Sequence, residues 1–449
     1  MREKFHLQAP LLHDHCRVQP QDETKETMSL ENLTITGIEM VWFEHTLENV
    51  GTDYNTFNMV YEAGARKQST EGILRIHTSE GVVGEHVGLR GPTAEQIKML
   101  TGYLIGKNPL EREKIYQDSK RGLRHFDMTG TGPVDIALWD IAGKLFDAPL
   151  YRMLGGTRKP LPAYASTLHG DEAGGLGSPE QFADFAQQCG EMGYKAFKIH
   201  GWGDGPISRE VANVLGVRDR VGPDMALMID PACEYENFAE TLAVGHACDE
   251  AKFFWLEDPY KDGGVSQFAH RKLRQMIKTP ILQTEHIRLL EQHVDFIVAD
   301  ATDFVRAGAH EDGGVTGTMK IAAASEGFGL DVELHGPGPV HRHIMSAIRN
   351  TNWYELGLIH PLVRSTKSPV YTNYNDDLDA IDSDGNVFAP EGPGIGVEID
   401  WDFVRANQVD RAVWGNVPDP VPSYVAPPVY TPPAPVVIDS TGDGVDEAE

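Results

Sequence analysis

Cysteine is scarce in this chain: four among 449 residues, Cys16, Cys189, Cys233 and Cys248, far apart and never as C-x-x-C. That spacing supports neither a disulfide framework nor a zinc knuckle, and it fits a reducing compartment. Positive charge is also in short supply, with 39 Lys and Arg against 67 Asp and Glu and a formal net charge of −28. Such a balance works against a nucleic-acid partner held through its phosphates and against an anionic membrane surface. It also requires that a site for an anionic substrate carry its own cations or a metal. There is no run of about 18 apolar residues, and the opening MREKFHLQAPLLHDH places charges and histidines where a signal peptide needs an apolar stretch. A cytoplasmic protein with neither a nucleic-acid nor a membrane partner is the expectation.

What is present divides by texture. Residues 1–32 are polar and irregular and read as an N-terminal arm, and residues 415–449 form a Pro-rich and then acidic C-terminal tail. Residues 33–155 give strand-like runs (ITGIEMVWFEH, GILRIHTSEGVVGEHVG) followed by amphipathic helical periodicity, an α+β unit. Across 156–375, short apolar runs alternate with helical segments: LPAYAS, AFKIHG, ALMIDPA, FFWLEDP, PILQTE, DFVRAG, LDVELHG and WYELGL. Strands spaced in this way imply βαβ units in a parallel sheet, and eight of them predict an α/β fold closed into a TIM-like barrel.

Most of these runs end in a polar residue: Lys198 and His200, Asp230, Glu257, Glu285, His335 and Glu355. The C-terminal ends of barrel strands open onto one face, so residues far apart in sequence converge there. Any one of these carboxylates reads equally well as a helix cap or a surface ion pair. Three of them, Asp230, Glu257 and Glu285, ending successive strands would repel one another unless protonated or bridged by a cation. Oxygen donors without cysteine point to Mg²⁺, with Mn²⁺ as the alternative. Lys198 and His200 lie two apart on one strand and so share a face. Beside a carboxylate cluster they read as a base whose pKa is lowered by burial and neighbouring cations, able to remove the proton next to a metal-held carboxylate.

The ordered set GPVDIALWDIAGKLFDAPLYRMLGG, GYKAFKIHG, MIDPA, WLEDP, TEH, GGVTG and ELHG resembles the mandelate racemase branch of the enolase superfamily over about residues 33–405. The resemblance implies a (β/α)7β barrel beneath a capping domain, with residues 376–405 returning to that cap. It also implies Mg²⁺ on Asp230, Glu257 and Glu285, a base at the second position of a Lys-x-Lys pair and a His–Asp dyad on the opposite face of the substrate. Two positions depart from the pattern. His200 stands in place of the second Lys, which keeps a base of lower intrinsic pKa. His335 matches the dyad histidine, but the ungapped count back from GGVTG places Gly308 where the family has Asp, leaving Glu311 or Asp312 as candidate substitutes. Glu355 matches an acidic residue that follows the last strand and contacts substrate.

Racemisation needs acid–base groups on both faces of the substrate, whereas dehydration needs one base and one acid for the departing β-hydroxyl. Related branches act on sugar acids, so the expectation is dehydration of an aldonate or aldarate to a 2-keto-3-deoxy acid. The alternatives are cycloisomerisation of a sugar-acid lactone or anhydro-sugar acid, then racemisation or epimerisation, then a barrel that only binds. Specificity is expected from loops at 43–57 and 88–92. The partner is a small-molecule carboxylate, and a homo-oligomer is expected.

Overall fold

The computed structural model describes residues 30–418. The expected N-terminal arm up to residue 29, with Cys16, and the tail from residue 419 lie outside the described residues.

The first unit is an antiparallel sheet followed by four helices. β1 (Ile35–Thr52) and β2 (Met59–Thr78) form a long hairpin, and β3 (Val83–Leu89) pairs with the other edge of β2. Then come α1 (Gly91–Leu104), α2 (Arg112–Gly122), α3 (Thr131–Leu145) and the short α4 (Leu150–Met153). Side-chain alternation gives β1 two buried faces. Ile38 and Met40 pack with Val134, Leu138 and Ile141 of α3, while Val41 and Phe43 face the returning C-terminal chain at Val370 and Val404. Most of the segment 43–57, expected as a loop, is therefore strand: pairing to β2 continues to Thr52, and only the tip turns. Buried Leu47 and Val50 carry the hairpin over the barrel core.

The eight apolar runs are the eight barrel strands. They are β4 (Leu161–Thr167), β5 (Ala196–Ile199), β6 (Ala226–Ile229), β7 (Trp255–Glu257), β8 (Ile281–Gln283), β9 (Phe304–Ala307), β10 (Asp331–Leu334) and β11 (Tyr354–Ile359). Between them run α5 (Pro179–Met192), α6 (Ile207–Val221), α7 (Phe238–Ala251), α8 (Gln267–Arg274), α9 (Leu289–Val298), α10 (Gly314–Gly327) and α11 (Pro339–Met345). Strands β4 to β10 pair in parallel, each with the next, and β11 pairs parallel with β4, so the barrel is closed by hydrogen bonds except between β10 and β11. Tyr164, Ala196, Met228, Trp255 and Leu282 form an apolar cluster of their own inside it. Outward residues such as Phe197 join the larger core, with Phe185 of α5 edge-on at 5.9 Å.

The chain then returns. β12 (Asn386–Val387) pairs with β4 and stays on the barrel, α12 (Trp401–Ala406) packs against the cap, and β13 (Gln408–Gly415) takes the free edge of β1. The return to the cap therefore continues past the expected boundary at 405 to Gly415. The cap also docks through α3 and α10: Asp135 accepts hydrogen bonds from the Thr316 amide (2.8 Å) and hydroxyl (2.6 Å). Gly314, at φ 75°, makes that approach possible, because a Cβ there would stand 2.4 Å from the Asp135 carboxylate. GGVTG is thus a docking turn.

Candidate active site

Register decides which polar ends become neighbours. Ile199 pairs with Ile229 and Ile229 with Leu256, which sets His200, Asp230 and Glu257 side by side at the strand ends. Across the barrel, Ala307 pairs with Leu334, so Gly308 and His335 are neighbours. Local signals bring the chain to these points: Ser178 caps α5, and Gly193, left-handed at φ 116°, ends it just before β5.

Asp230, Glu257 and Glu285 offer oxygens that all lie within 4.8 Å of one another. Lys198 is fully buried beneath them, its Nζ 3.1 Å from Asp230, 3.0 Å from Glu257 and 3.1 Å from Glu355. Burial alone would push the Lys198 ammonium down, but the charges of Glu257, Glu355 and Asp230 hold it well above its usual value. In this arrangement Lys198 stands as a buried positive charge among three carboxylates. Burial likewise would raise Asp230, yet Lys198 and His200 hold it well below the usual carboxylate range. Glu257 goes the other way, pushed well up by burial despite Arg306 and Lys198.

Arg306, from the apolar run DFVRAG, stands inside the barrel without solvent exposure. Its Nη2 lies 2.5 Å from Glu355, and its Nε lies 2.8 Å from Glu257 Oε1 at an angle that is not that of a hydrogen bond. Glu355 is the second residue of β11, where it was expected after that strand, and Lys198 and Arg306 neutralise it from either side. It also accepts the Gly336 amide at 2.7 Å, which ties it to the loop after β10.

His200 Nδ1 donates to the Thr167 carbonyl at 2.7 Å, which fixes the ring and presents Nε2 to the cluster, 3.1 Å from Asp230. His169 packs beside it, ring centroids 4.8 Å apart; burial and His200 push His169 down to about 3 and keep it neutral. At the other end of the cluster, His335 Nε2 lies 3.2 Å from Glu285. Gly308 cannot supply the dyad carboxylate, but a Cβ built on it would stand 2.5 Å from Glu311 Oε2 and 3.8 Å from His335 Cβ. Glu311 thus fills the space of the missing side chain. Asp312 accepts the amides of Gly308 (2.9 Å) and Leu289 (3.0 Å) and holds the loop together.

A cavity of about 460 Å³ opens at His335 and runs between barrel and cap, lined by His86, Arg90, His310, Glu311 and Lys367 among others. Burial pushes the Lys367 ammonium down to about 8. At the mouth, Tyr54 (3.0 Å) and Asn55 (3.1 Å) from the tip of the β1–β2 hairpin donate to Glu234 of the barrel. Arg306, Lys367, His169 and Glu234 were not singled out in the sequence. The one available signal was an Arg inside an otherwise apolar strand, since a lone buried charge needs partners.

Residues 50–155 match the mandelate racemase/muconate lactonizing enzyme N-terminal domain, and residues 181–403 match the enolase C-terminal domain-like family. The chain belongs to the mandelate racemase branch of the enolase superfamily. Among its superfamily relatives, D-gluconate dehydratase of Thermoproteus tenax is 27% identical over 361 residues, 75% of this chain and 70% of that one. D-galactarolactone cycloisomerase of Agrobacterium fabrum is 27% identical over 82% of this chain and 97% of its own. The crystal structure of D-glucarate dehydratase from Agrobacterium tumefaciens complexed with magnesium superimposes with a TM-score of 0.74 at 29% identity, over 84% of this chain and 100% of that one.

The superfamily site requires a divalent cation, and the residues here fit one. All donors are carboxylate oxygens, and Glu257 Oε1 is buried without a hydrogen-bond partner. A cation would offset the burial, and the smaller repulsion from Asp230 and Glu285, that keep the Glu257 carboxyl high. No helix of the described residues is long and apolar enough to cross a membrane.

Proposed function

We propose that this enzyme removes the proton α to the carboxylate of a sugar acid and expels the β-hydroxyl, converting an aldonate or aldarate to a 2-keto-3-deoxy acid with Mg²⁺ bound. The observation that carries this reading is the placement of two imidazoles at opposite ends of the carboxylate cluster, His200 against Asp230 and His335 against Glu285. Mg²⁺ held by Asp230, Glu257 and Glu285 would supply charge stabilisation at the substrate carboxylate. His200, oriented by Thr167, takes the α-proton at Nε2. His335 donates a proton from Nε2 to the departing hydroxyl, so that the C–H and C–O bonds break, water leaves and the enol ketonises. Lys198 is the buried cation that fixes Asp230, Glu257 and Glu355. The dehydratases among the relatives support the reaction class.

Cycloisomerisation is the second reading, favoured by the near full-length match to a galactarolactone cycloisomerase. Incubating the protein with Mg²⁺ and a library of aldonates, aldarates and their lactones separates the two. A 2-keto-3-deoxy product with loss of water supports dehydration, and an isomer of unchanged mass supports cycloisomerisation. Absence of turnover across the library with Mg²⁺ and with Mn²⁺ would overturn both.

A further inference from the structure

The three strand ends that carry Asp230, Glu257 and Glu285 carry a second set of donors just beyond them: Cys233, Asp258 and His286, with ligand atoms all within 4.8 Å of one another. We propose that these three residues form a separate site for a borderline-soft divalent cation of the Zn²⁺ type. Thiolate, imidazole and carboxylate together are the donor set of zinc rather than of magnesium, which prefers oxygen alone. The spacing suits a tetrahedral ion. His286 Nε2 lies 3.2 Å from Asp258 Oδ2, and ligand bonds of about 2.0–2.3 Å imply tetrahedral edges of about 3.3–3.8 Å.

A second observation comes from Asp258 itself. It is 1% exposed, and its Oδ1 has no hydrogen-bond partner, so the contact with His286 leaves half of a buried carboxylate unsatisfied. That oxygen faces an opening that only glycine leaves free. A Cβ on Gly264 would stand 2.9 Å from Asp258 Oδ1 and 2.7 Å from the His286 ring. The Cys233 amide donates to the Asp258 carbonyl at 2.7 Å, tying the two ligand loops together. His286 is partly exposed, which gives an ion a route in and leaves a fourth position for water. An ion there would brace the ends of β6, β7 and β8, and with them the neighbouring carboxylates.

The test strips the full-length protein with chelator, dialyses it against excess MgCl₂ with ZnSO₄, and measures both metals by elemental mass spectrometry. About one equivalent of zinc per chain should survive the excess magnesium. Cys233→Ser and His286→Asn should each weaken zinc retention by about tenfold or more, while Glu257→Gln keeps it. Cobalt substituted into the unaltered protein should give a thiolate-to-metal charge-transfer band, a readout that stands even if Cys233→Ser folds poorly. Failure to retain zinc would overturn the site. So would zinc that is retained by Cys233→Ser and His286→Asn yet lost from Glu257→Gln, since the metal would then sit on the carboxylates. Because metal content is read rather than turnover, this result is independent of the proposed dehydration.

Discussion

Replacing His335 by Asn removes the acid beside Glu285 and leaves His200 in place. Dehydration should be abolished while exchange of the substrate α-proton with solvent deuterium continues, as followed by NMR. His200→Ala should lose exchange and turnover together, by about a hundredfold or more, the scale of general-base catalysis. Loss of exchange in His335→Asn with exchange retained in His200→Ala would reassign the base to His335. Arg306→Met tests the buried cation: it leaves Glu257 and Glu355 facing Lys198 alone, and should cost about 3–5 kcal/mol in denaturant unfolding. Arg306 could be read from the sequence only as an oddity in DFVRAG, because its partners come from β7 and β11 and meet it only when the barrel closes. Glu311 was legible as one of two candidates, and packing separates them: Asp312 is committed to loop amides, and Glu311 occupies the space beside His335.

Among the elements, β13 shows how far a short edge strand depends on one buried charge. Glu39 on β1 accepts from Arg75 of β2 (2.8 Å) and Arg411 of β13 (2.6 Å), with His77 at 3.2 Å. Burial alone would raise its carboxyl, but hydrogen bonds from His77 and Arg411 and the charges of Arg75 and Arg411 outweigh it and hold the group at about 2, down from 4.5. A depressed acid contributes stability above its unfolded value and loses it as the folded value is approached. The clamp should therefore be intact above about pH 4.5 and fade as pH falls towards about 2. Thermal melting across that window should show a steeper acid loss for the native protein than for Glu39→Gln, which should already be about 2 kcal/mol less stable at neutral pH. The strand runs around β1 and β2 were legible from their alternation. The length of the hairpin and the identity of its edge partner were not, since pairing to residues 408–415 is a contact across the whole chain.

For the whole molecule, the metal and the fold are linked. A cation that binds the carboxylate cluster only when the strand ends are assembled stabilises the native state by mass action, about 2.7 kcal/mol at a hundred times its Kd. Mg²⁺ should raise the melting temperature of the native protein, and Glu257→Gln should remove most of that rise together with turnover. A melting temperature insensitive to Mg²⁺ would place the cation elsewhere. The sequence alone determined the succession of eight buried strands and intervening helices, the acidic surface, and the order of Lys198, His200, Asp230, Glu257, Glu285 and His335, because periodicity and strand-end chemistry are local. Tertiary structure decided the rest. The charge state of Lys198, the bracing of Glu355, the use of space left by Gly308 and the pairing of Cys233 with Asp258 and His286 all depend on parallel register, which sets distances between residues tens of positions apart that no local pattern encodes.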